Sequence, residues 1–188
     1  DNMSMSLLPM ECSELVFNSD FALGNSRFWS KDGSAASLLE MQEFGGNSAL
    51  RLTSRSSTSD SLSLNIRTGC IAEKERYLAS AKVRLLEPKL NTVLECDRNA
   101  RNGRNVCPRM RINSFVDIGL LTGEVASHPG GMIADMDHGV TDDGWFTVSG
   151  VFVGTRQDQI AERSLLLIGF GVRSGVDVAV DDVSITPL

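Results

Sequence analysis

The sequence lacks any long apolar run and any excess of positive charge. Its longest apolar stretch extends from Leu165 to Val172 and is interrupted by two glycines, whereas a membrane-spanning helix needs roughly 18 or more apolar residues. The net charge is −6 and the pI is about 4.9. A protein that binds duplex nucleic acid needs a basic surface to displace counterions from the phosphates, and docking on anionic lipid has the same requirement. The sequence therefore predicts neither nucleic-acid binding nor membrane insertion.

Residues and motifs that serve catalysis are also scarce. The only histidines are His128 and His138, and His138 lies in a stretch rich in Gly and Asp. The sequence has no G-x-S-x-G turn, and no strand carries the Glu-x-Asp-x-Glu pattern of jelly-roll glucanases. A carboxylate pair for glycoside hydrolysis would have to come from scattered residues: Glu40, Glu43, Glu87 or Glu95. We therefore expect that the chain is not an enzyme.

The four cysteines, Cys12, Cys70, Cys96 and Cys107, allow three disulfide pairings. Cys96 and Cys107 flank a polar loop that can hardly fold on itself, so a local bridge is expected there, which leaves Cys12 to pair with Cys70. A zinc site is the alternative, but the sequence has no C-x-x-C and no histidine near a cysteine. Two disulfides would indicate an oxidising compartment. Because residue 1 is Asp and no signal sequence is present, we expect a mature or excised fragment of a secreted or cell-surface protein.

Alternation of apolar and polar residues dominates the chain. From Tyr77 to Leu85 every second residue is apolar, and segments 50–53 and 61–67 alternate in the same way. This period of two is typical of strands with one buried face. Segments 145–153 and 165–172 are largely apolar on both faces, which predicts central strands. Further strands are expected at 14–17, 28–31, 37–40, 108–112, 115–120 and 176–185.

No segment shows a helical stripe over about 11 residues or more. Short apolar runs separated by Gly, Asn, Asp and Ser clusters predict an all-β fold, either a sandwich or a barrel. The 188 residues fit one domain. We place that domain at residues 14–188, behind an N-terminal extension of residues 1–13.

The last predicted strand contains a change of phase. Its apolar residues alternate up to Val180 and resume one residue out of phase at Val183, across Asp181-Asp182. A bulge is needed to keep the apolar side chains of this strand on one face. Two adjacent carboxylates at a bulge are candidate ligands of calcium, which prefers clustered oxygen atoms. A solvated bulge without metal is the alternative.

Five segments in order resemble a known family. They are residues 15–24 (LVFNSDFALG, followed by Trp29), 46–52 (GNSALRL), 77–84 (YLASAKVR), 144–152 (GWFTVSGVF) and 180–185 (VDDVSI). Their order and spacing are similar to those of the carbohydrate-binding modules of families four, nine and twenty-two. The resemblance spans roughly residues 14 to 186. It implies a two-sheet antiparallel β-sandwich, a jelly roll of the galactose-binding-like type.

The resemblance also implies a metal and a ligand. In modules of this kind a structural calcium joins the beginning of the fold to its last strand, and the matching positions here are Asp20, the turn at Gly46-Asn47, and Asp181. Such modules often carry Glu directly after the Phe, where this chain has Ala22, so backbone carbonyls would have to serve there. The chain is thus expected to be a non-catalytic, calcium-stabilised module that binds a glycan or polysaccharide.

Aromatic side chains that can stack on a sugar are few, with two Trp, one Tyr and eight Phe. Four of these aromatics match family positions that usually serve the core: Trp29, Tyr77, Trp145 and Phe146. Phe28, Phe44 and Phe115 are not committed to the core by the pattern. The scarcity favours a second hypothesis, a protein-recognition or adhesion domain on the same fold without sugar affinity.

Basic residues provide the candidate ligand contacts. Lys82 and Arg84 are expected on the outward face of the Tyr77 strand, and Arg109 and Arg111 follow the loop between Cys96 and Cys107. Arginines in that loop, Arg98, Arg101 and Arg104, can grip a carboxylate or sulfate, a solvated loop being the alternative. The acidic stretch 135–143 has the oxygen density of a cation loop without the spacing of an EF-hand, and a plain surface loop is again the alternative.

Overall fold

Strands account for most of the regular structure. The computed structural model describes residues 12, 15–67, 69–96, 107–117, 125–134, 143–160 and 163–188. These residues form strands β1 (Trp29–Asp32), β2 (Leu38–Phe44), β3 (Asn47–Thr53), β4 (Ser61–Ile66), β5 (Arg76–Leu86), β6 (Arg109–Asp117), β7 (Val125–Ala134), β8 (Phe146–Val153), β9 (Arg163–Phe170) and β10 (Asp177–Pro187), and a short helix α1 (Arg156–Ile160). In the described part of the chain, no helix has the length and apolar character needed to cross a membrane.

The strands form two five-stranded sheets. The first sheet has the order β1-β4-β9-β6-β7 and the second has the order β2-β3-β10-β5-β8. The strand pairings are antiparallel in both sheets. From β3 onward the chain changes sheet after every strand except β6, which pairs with β7 directly. The predicted two-sheet antiparallel jelly-roll sandwich is therefore confirmed.

The main core lies between the two sheets. The alternation predicted for β5 is observed, because the odd-numbered residues from Tyr77 to Leu85 are buried while Lys82 is exposed and Arg84 is partly exposed. Trp29 packs against Phe21 with ring centroids 5.1 Å apart. Each fully buried large apolar side chain stabilises the fold by about 1.5–3 kcal/mol. Trp29, Tyr77 and Phe146 all belong to this core, as the sequence predicted.

Several strand predictions need correction. Segment 145–153 was expected to be a central strand, but β8 is the edge of the second sheet, and Val151 and Val153 are 45% and 53% exposed. Segments 108–112 and 115–120 were expected as two strands, but 109–117 is one continuous strand, and residues 118–120 lie outside the described part of the chain. The described part of segment 14–17, residues 15–17, forms no named strand and contributes an isolated bridge from Val16 to Ile66. Strand β7 was missed because its Pro129-Gly130-Gly131 triplet is typical of loops.

A second, smaller apolar cluster lies on the outer face of the second sheet. It consists of Ala49, Leu86, Trp145 and Ala179, with Phe44 and Val93 packed against it. Residues 87–95, which follow β5, return over this face, and Val93 forms an isolated bridge to Leu86. We call these residues the covering segment. Trp145 is therefore buried as predicted, but under the chain's own covering segment and not between the sheets.

A buried ion pair in the sheet also contacts the covering segment through a hydrogen bond to Asn91. Arg51 donates from Nε and Nη2 to Oδ2 of Asp177 at 3.0 and 2.5 Å, and from Nη1 to the Oδ1 of Asn91 at 2.8 Å. The Arg51 and Asp177 side chains are 7% and 2% exposed. Burial raises the pKa of Asp177 above its ordinary value, and the adjacent Arg51 opposes this shift.

The loop between β3 and β4 is organised by Arg55 and Asp60. The Asp60 carboxylate accepts hydrogen bonds of 2.6 to 3.0 Å from three backbone N–H groups, those of Ser34, Ser56 and Ser57. Arg55 donates to the carbonyl of Asp60 and to carbonyls of residues 172, 173 and 176. Burial alone would raise the pKa of Asp60, but the three N–H donors and Arg55 hold it below its ordinary value. The loop is thus tied to the far end of β9.

Both predicted disulfides are confirmed. Cys12 bonds to Cys70, with Cα atoms 5.4 Å apart, and Cys96 bonds to Cys107, with Cα atoms 4.8 Å apart. No cysteine is left free. The alternative of a zinc site built from these cysteines is excluded.

Candidate metal centre and binding surfaces

The residues predicted to bind calcium lie around one pocket. Asp20, Gly46, Asn47 and Asp181 line a cavity of about 350 Å³, together with Phe21, Ala22, Ser48 and Asp182. These residues come from the segment before β1, the turn between β2 and β3, and the bulge in β10. The structure therefore brings together the full set that the sequence assigned to the metal.

Backbone geometry positions these groups. The pairing of β10 with β5 changes register between Asp181 and Ser184, so the predicted bulge is present. Asp182 has a φ of 47° within it, a left-handed conformation that Asp tolerates better than most residues. The N–H of Val183 donates to the carbonyl of Ser19 at 3.0 Å, which fastens the bulge to the segment that carries Asp20. The β2–β3 turn is made by Gly45 and Gly46, whose φ values are 62° and 92°.

The electrostatics of the pocket favour a cation. Asp181 is 6% exposed, and burial raises the pKa of its carboxyl despite a hydrogen bond from the N–H of Asp182. The nearby ammonium of Lys82 is engaged with Asp182, with Nζ 2.6 Å from Oδ2, and this hydrogen bond raises the pKa of Lys82. The Asp20 carboxylate accepts the N–H of Ala22 at 3.1 Å. Asp181 is thus a buried carboxylate whose charge the neighbouring lysine balances only indirectly.

The donor set suits calcium better than a transition metal. Within the described ranges, no three His, Cys, Asp or Glu side chains are grouped so that they could hold a metal. Among the residues that line the pocket, Asp20 and Asp181 offer carboxylates and Asn47 offers an amide oxygen, while the carboxylate of Asp182 is engaged by Lys82. Calcium accepts such mixed oxygen ligands at flexible geometry. Ala22 supplies no side-chain ligand where modules of this kind often carry Glu.

The four candidate ligand contacts do not form one site. Lys82 and Arg84 lie on the outer face of the second sheet, whereas Arg109 and Arg111 belong to β6 of the first sheet. Arg84 stacks against the second apolar cluster, with Cζ 5.0 Å from the Phe44 ring centroid and 5.8 Å from that of Trp145. Arg98, Arg101 and Arg104, and the acidic stretch 135–142, lie outside the described residues. A ligand confined to the outer face of one sheet therefore contacts one of the two pairs, not both.

Sequence reasoning missed a surface that the structure makes evident. The rings of Phe17 and Phe28 stack with centroids 4.9 Å apart and an interplanar angle of 26°. Arg67 lies over the Phe17 ring at 4.1 Å and Arg27 lies over the Phe28 ring at 5.0 Å. We call these four residues the Arg–Phe stack. The only signal in the sequence was that Phe28 directly precedes the core residue Trp29 and had no assigned partner.

Comparison with solved structures identifies the fold. The chain superposes with a TM-score of 0.57 on the CBM22-2 xylan-binding domain from Paenibacillus barcinonensis Xyn10C, at 15% identity, over 90% of this chain and 98% of that one. The chain has the fold of the family 22 xylan-binding modules. The tandem CBM22-1–CBM22-2 domain of the same protein gives a TM-score of 0.59 at 15% identity, over 94% of this chain and 50% of the tandem. The resemblance predicted from the sequence is therefore confirmed at the level of the fold.

The fold also occurs as a part of larger proteins. The N-terminal CBM22-1–GH10 portion of Clostridium thermocellum endo-1,4-beta-D-xylanase 10B, complexed with xylohexaose, gives a TM-score of 0.57 at 20% identity over 93% of this chain. The chain spans 29% of the length of that two-module portion. No protein-family model matches the sequence, and no curated protein matches it.

Proposed function

We propose that the chain is a non-catalytic carbohydrate-binding module of a secreted or cell-surface protein. The observation that carries this proposal is the superposition on xylan-binding modules over at least 90% of the chain. Two disulfides in one domain support an oxidising compartment. The shared fold does not by itself establish sugar binding, because one fold can host several functions.

The arrangement of the carboxylates supports a non-catalytic role. Glu40 pairs with Arg51 on the outer face of the second sheet, whereas Glu43 pairs with Ser48, three positions further along β2 and hence on the opposite face. Glu87 and Glu95 are exposed on the covering segment. A glycosidase places two carboxyl groups on either side of one scissile bond, at separations of about 5 to 9.5 Å. Glu40 and Glu43, directed to opposite faces, do not flank a common groove.

The proposed sugar binding is tested with a polysaccharide screen. We expect the purified chain to bind at least one polysaccharide class, with xylan as the first probe, in calcium and without release of product on long incubation. Alanine substitution of Arg109 or Arg111 should weaken binding if the first sheet carries the site, and substitution of Lys82 or Arg84 should do so if the second sheet carries it. Product release would contradict the non-catalytic assignment.

A second function is favoured by the burial of the aromatics. Trp29, Tyr77 and Trp145 are all at least 93% buried, so the large planar side chains best suited to stacking on sugars are withdrawn from the surface. A protein-recognition or adhesion domain needs no such platform. Lack of binding to every polysaccharide, combined with a stable dimer or specific capture of a defined protein, would favour this function.

We further propose that calcium occupies the pocket of Asp20, Gly46, Asn47 and Asp181. Calcium there would compensate the buried charge of Asp181 and would tie the segment before β1 to the turn between β2 and β3 and to β10. The ion is proposed as a structural element. Among the candidate ligand contacts, Lys82 lies next to this pocket through its ion pair with Asp182.

Removal of calcium is expected to lower the melting temperature. At a calcium concentration a hundredfold above Kd, binding to the native state contributes about 2.7 kcal/mol, which corresponds to a Tm increase of roughly 5–10 °C for a chain of this length. Differential scanning calorimetry in calcium and in chelator measures this shift. Asp181→Asn should abolish the shift, whereas Asp32→Asn, at the exposed end of β1, should retain it. Equal Tm values for the wild type in both buffers would refute the proposal.

A further inference from the structure

The Arg–Phe stack lies at one corner of the first sheet, outside both the calcium pocket and the arginines of β6. Phe28 immediately precedes β1, the edge strand of that sheet, and Arg67 immediately follows β4, the strand beside it. The N–H of Arg67 donates to the carbonyl of Leu15 at 3.1 Å, which brings Phe17 to the same corner. Two stacked rings, each with a guanidinium group over it, thus form a continuous series at the protein surface.

Phe28 adopts an unfavourable backbone conformation in this stack. Its φ is 76°, in the left-handed region where a bulky residue costs about 1–3 kcal/mol. Phe28 is nevertheless 37% exposed, so burial in the core does not compensate that cost. Strained residues of this kind cluster at ligand-binding sites. The conformation has the effect of laying an apolar ring on Phe17 while leaving part of it open to solvent.

The segment that presents Arg27 and Phe28 is internally braced. Asn18 Nδ2 donates to the carbonyl of Asn25 at 2.7 Å, and Asn25 Oδ1 accepts the N–H of Arg27 at 2.9 Å. Indole Nε1 of the core residue Trp29 donates to the carbonyl of Asn18 at 3.2 Å. A braced surface loop loses little conformational entropy when a ligand binds, which favours affinity.

The chemistry of the stack selects a planar anion next to an apolar surface. A guanidinium that lies over a ring keeps N–H donors for other partners, and these donors match a carboxylate in a bidentate manner. Arg27 is exposed, and within the described residues its guanidinium makes no hydrogen bond or ion pair. Two positive charges at this corner also contrast with the net charge of −6 of the whole chain.

We propose that the Arg–Phe stack is a binding site for acidic saccharides, in which Arg27 holds the carboxylate of a uronic acid and the exposed part of the Phe28 ring contacts the C–H groups of the sugar. This inference rests on the proposed function, because it names the class of carbohydrate that the module takes. A neutral sugar can contact the Phe28 ring through its C–H groups but offers no carboxylate to Arg27. A free carboxylate can bind Arg27 but does not contact the ring. The site therefore prefers a uronate within a polysaccharide to either part alone.

The test uses a pair of ligands that differ only in the carboxylate. Glucuronoxylan and carboxyl-reduced glucuronoxylan are titrated into the wild-type chain and into Arg27→Gln, Phe28→Gly and Arg173→Gln. Arg173 is an exposed arginine in the loop after β9 and serves as the control for loss of one positive charge. Because glycine tolerates the φ of residue 28 without strain, the relief of strain in Phe28→Gly offsets the loss of packing on Phe17, and its Tm should stay close to that of the wild type.

We expect the wild type to bind glucuronoxylan at least about tenfold more tightly than the reduced polymer, since a charge-assisted hydrogen bond is lost on reduction. Arg27→Gln should remove that preference, Phe28→Gly should weaken binding to both polymers, and Arg173→Gln should behave as the wild type. Equal binding of the two polymers, or unchanged binding by Arg27→Gln and Phe28→Gly, would overturn the inference while leaving sugar binding intact. If no polysaccharide binds at all, the proposed function fails and this inference fails with it.

Discussion

Replacing Arg51 with methionine is expected to destabilise the protein by about 3–5 kcal/mol, the cost of leaving one partner of a buried ion pair uncompensated. Methionine preserves most of the volume of the side chain but removes its charge and all its hydrogen bonds. Asp177 then stays buried without a cation, and the side chains of Gln42 and Asn91 lose their donor. Urea denaturation followed by circular dichroism at pH 7 measures the difference.

An exposed ion pair provides the matched control. Lys82 and Asp182 are bridged at 2.6 Å, but their side chains are 50% and 48% exposed, and such pairs contribute about 0–1 kcal/mol. Lys82→Met should therefore cost far less than Arg51→Met. A cost for Arg51→Met no larger than that for Lys82→Met would show that burial of the Arg51 pair does not determine its contribution.

The dependence on pH separates the lost charge pair from lost packing. Burial already raises the folded-state pKa of Asp177, and removal of Arg51 raises it further. The loss of stability in Arg51→Met therefore arises only at pH values at which Asp177 is ionised in the unfolded state. The penalty should be full at pH 7 and should shrink as pH falls towards the unfolded-state pKa of about 3.9. The double substitution Arg51→Met/Asp177→Leu should recover much of the loss at pH 7. A penalty of equal size at pH 7 and pH 4 would point to packing instead.

The fold was predictable because the alternation of residues reports directly on burial. The odd-numbered residues of β5 face the core as the pattern requires, and the phase slip at Asp181-Asp182 marks the bulge that lines the pocket proposed for calcium. Sheet order is a different matter. Strand β8 carries the apolar residues Val151 and Val153 on its outward face, and nothing local to the sequence distinguishes such an edge strand from a central one.

The sites that depend on distant pairing were not predictable. Arg51 and Asp177 are 126 residues apart and each is an ordinary charged residue of an alternating strand, so only the sheet topology reveals their pairing. The Arg–Phe stack was missed for a different reason. It depends on a positive φ at Phe28, whereas a negative φ is expected for a bulky aromatic residue.

Removing the Cys12–Cys70 disulfide is expected to cost about 4 kcal/mol, and removing Cys96–Cys107 about 3 kcal/mol, because the loop entropy released to the unfolded chain grows with the length of the closed loop. The sequence separations are 58 and 11 residues. Guanidinium denaturation of the variants Cys12→Ala/Cys70→Ala and Cys96→Ala/Cys107→Ala measures both costs. Reductant should destabilise the wild type and leave the variant with all four cysteines replaced unchanged. A larger cost for the Cys96–Cys107 pair than for the Cys12–Cys70 pair would contradict the loop-entropy argument.

The sum of these two costs bears on where the protein can function. Together the disulfides contribute about 7 kcal/mol, against a total stability of about 5–15 kcal/mol for a typical domain. In a reducing compartment the chain would therefore lose roughly half or more of its stability. If the variant with all four cysteines replaced folds with more than about 5 kcal/mol of stability in calcium, the disulfides do not restrict the protein to an oxidising compartment. If it is largely unfolded at 37 °C, the folded module requires an oxidising compartment, as expected for a secreted or cell-surface protein.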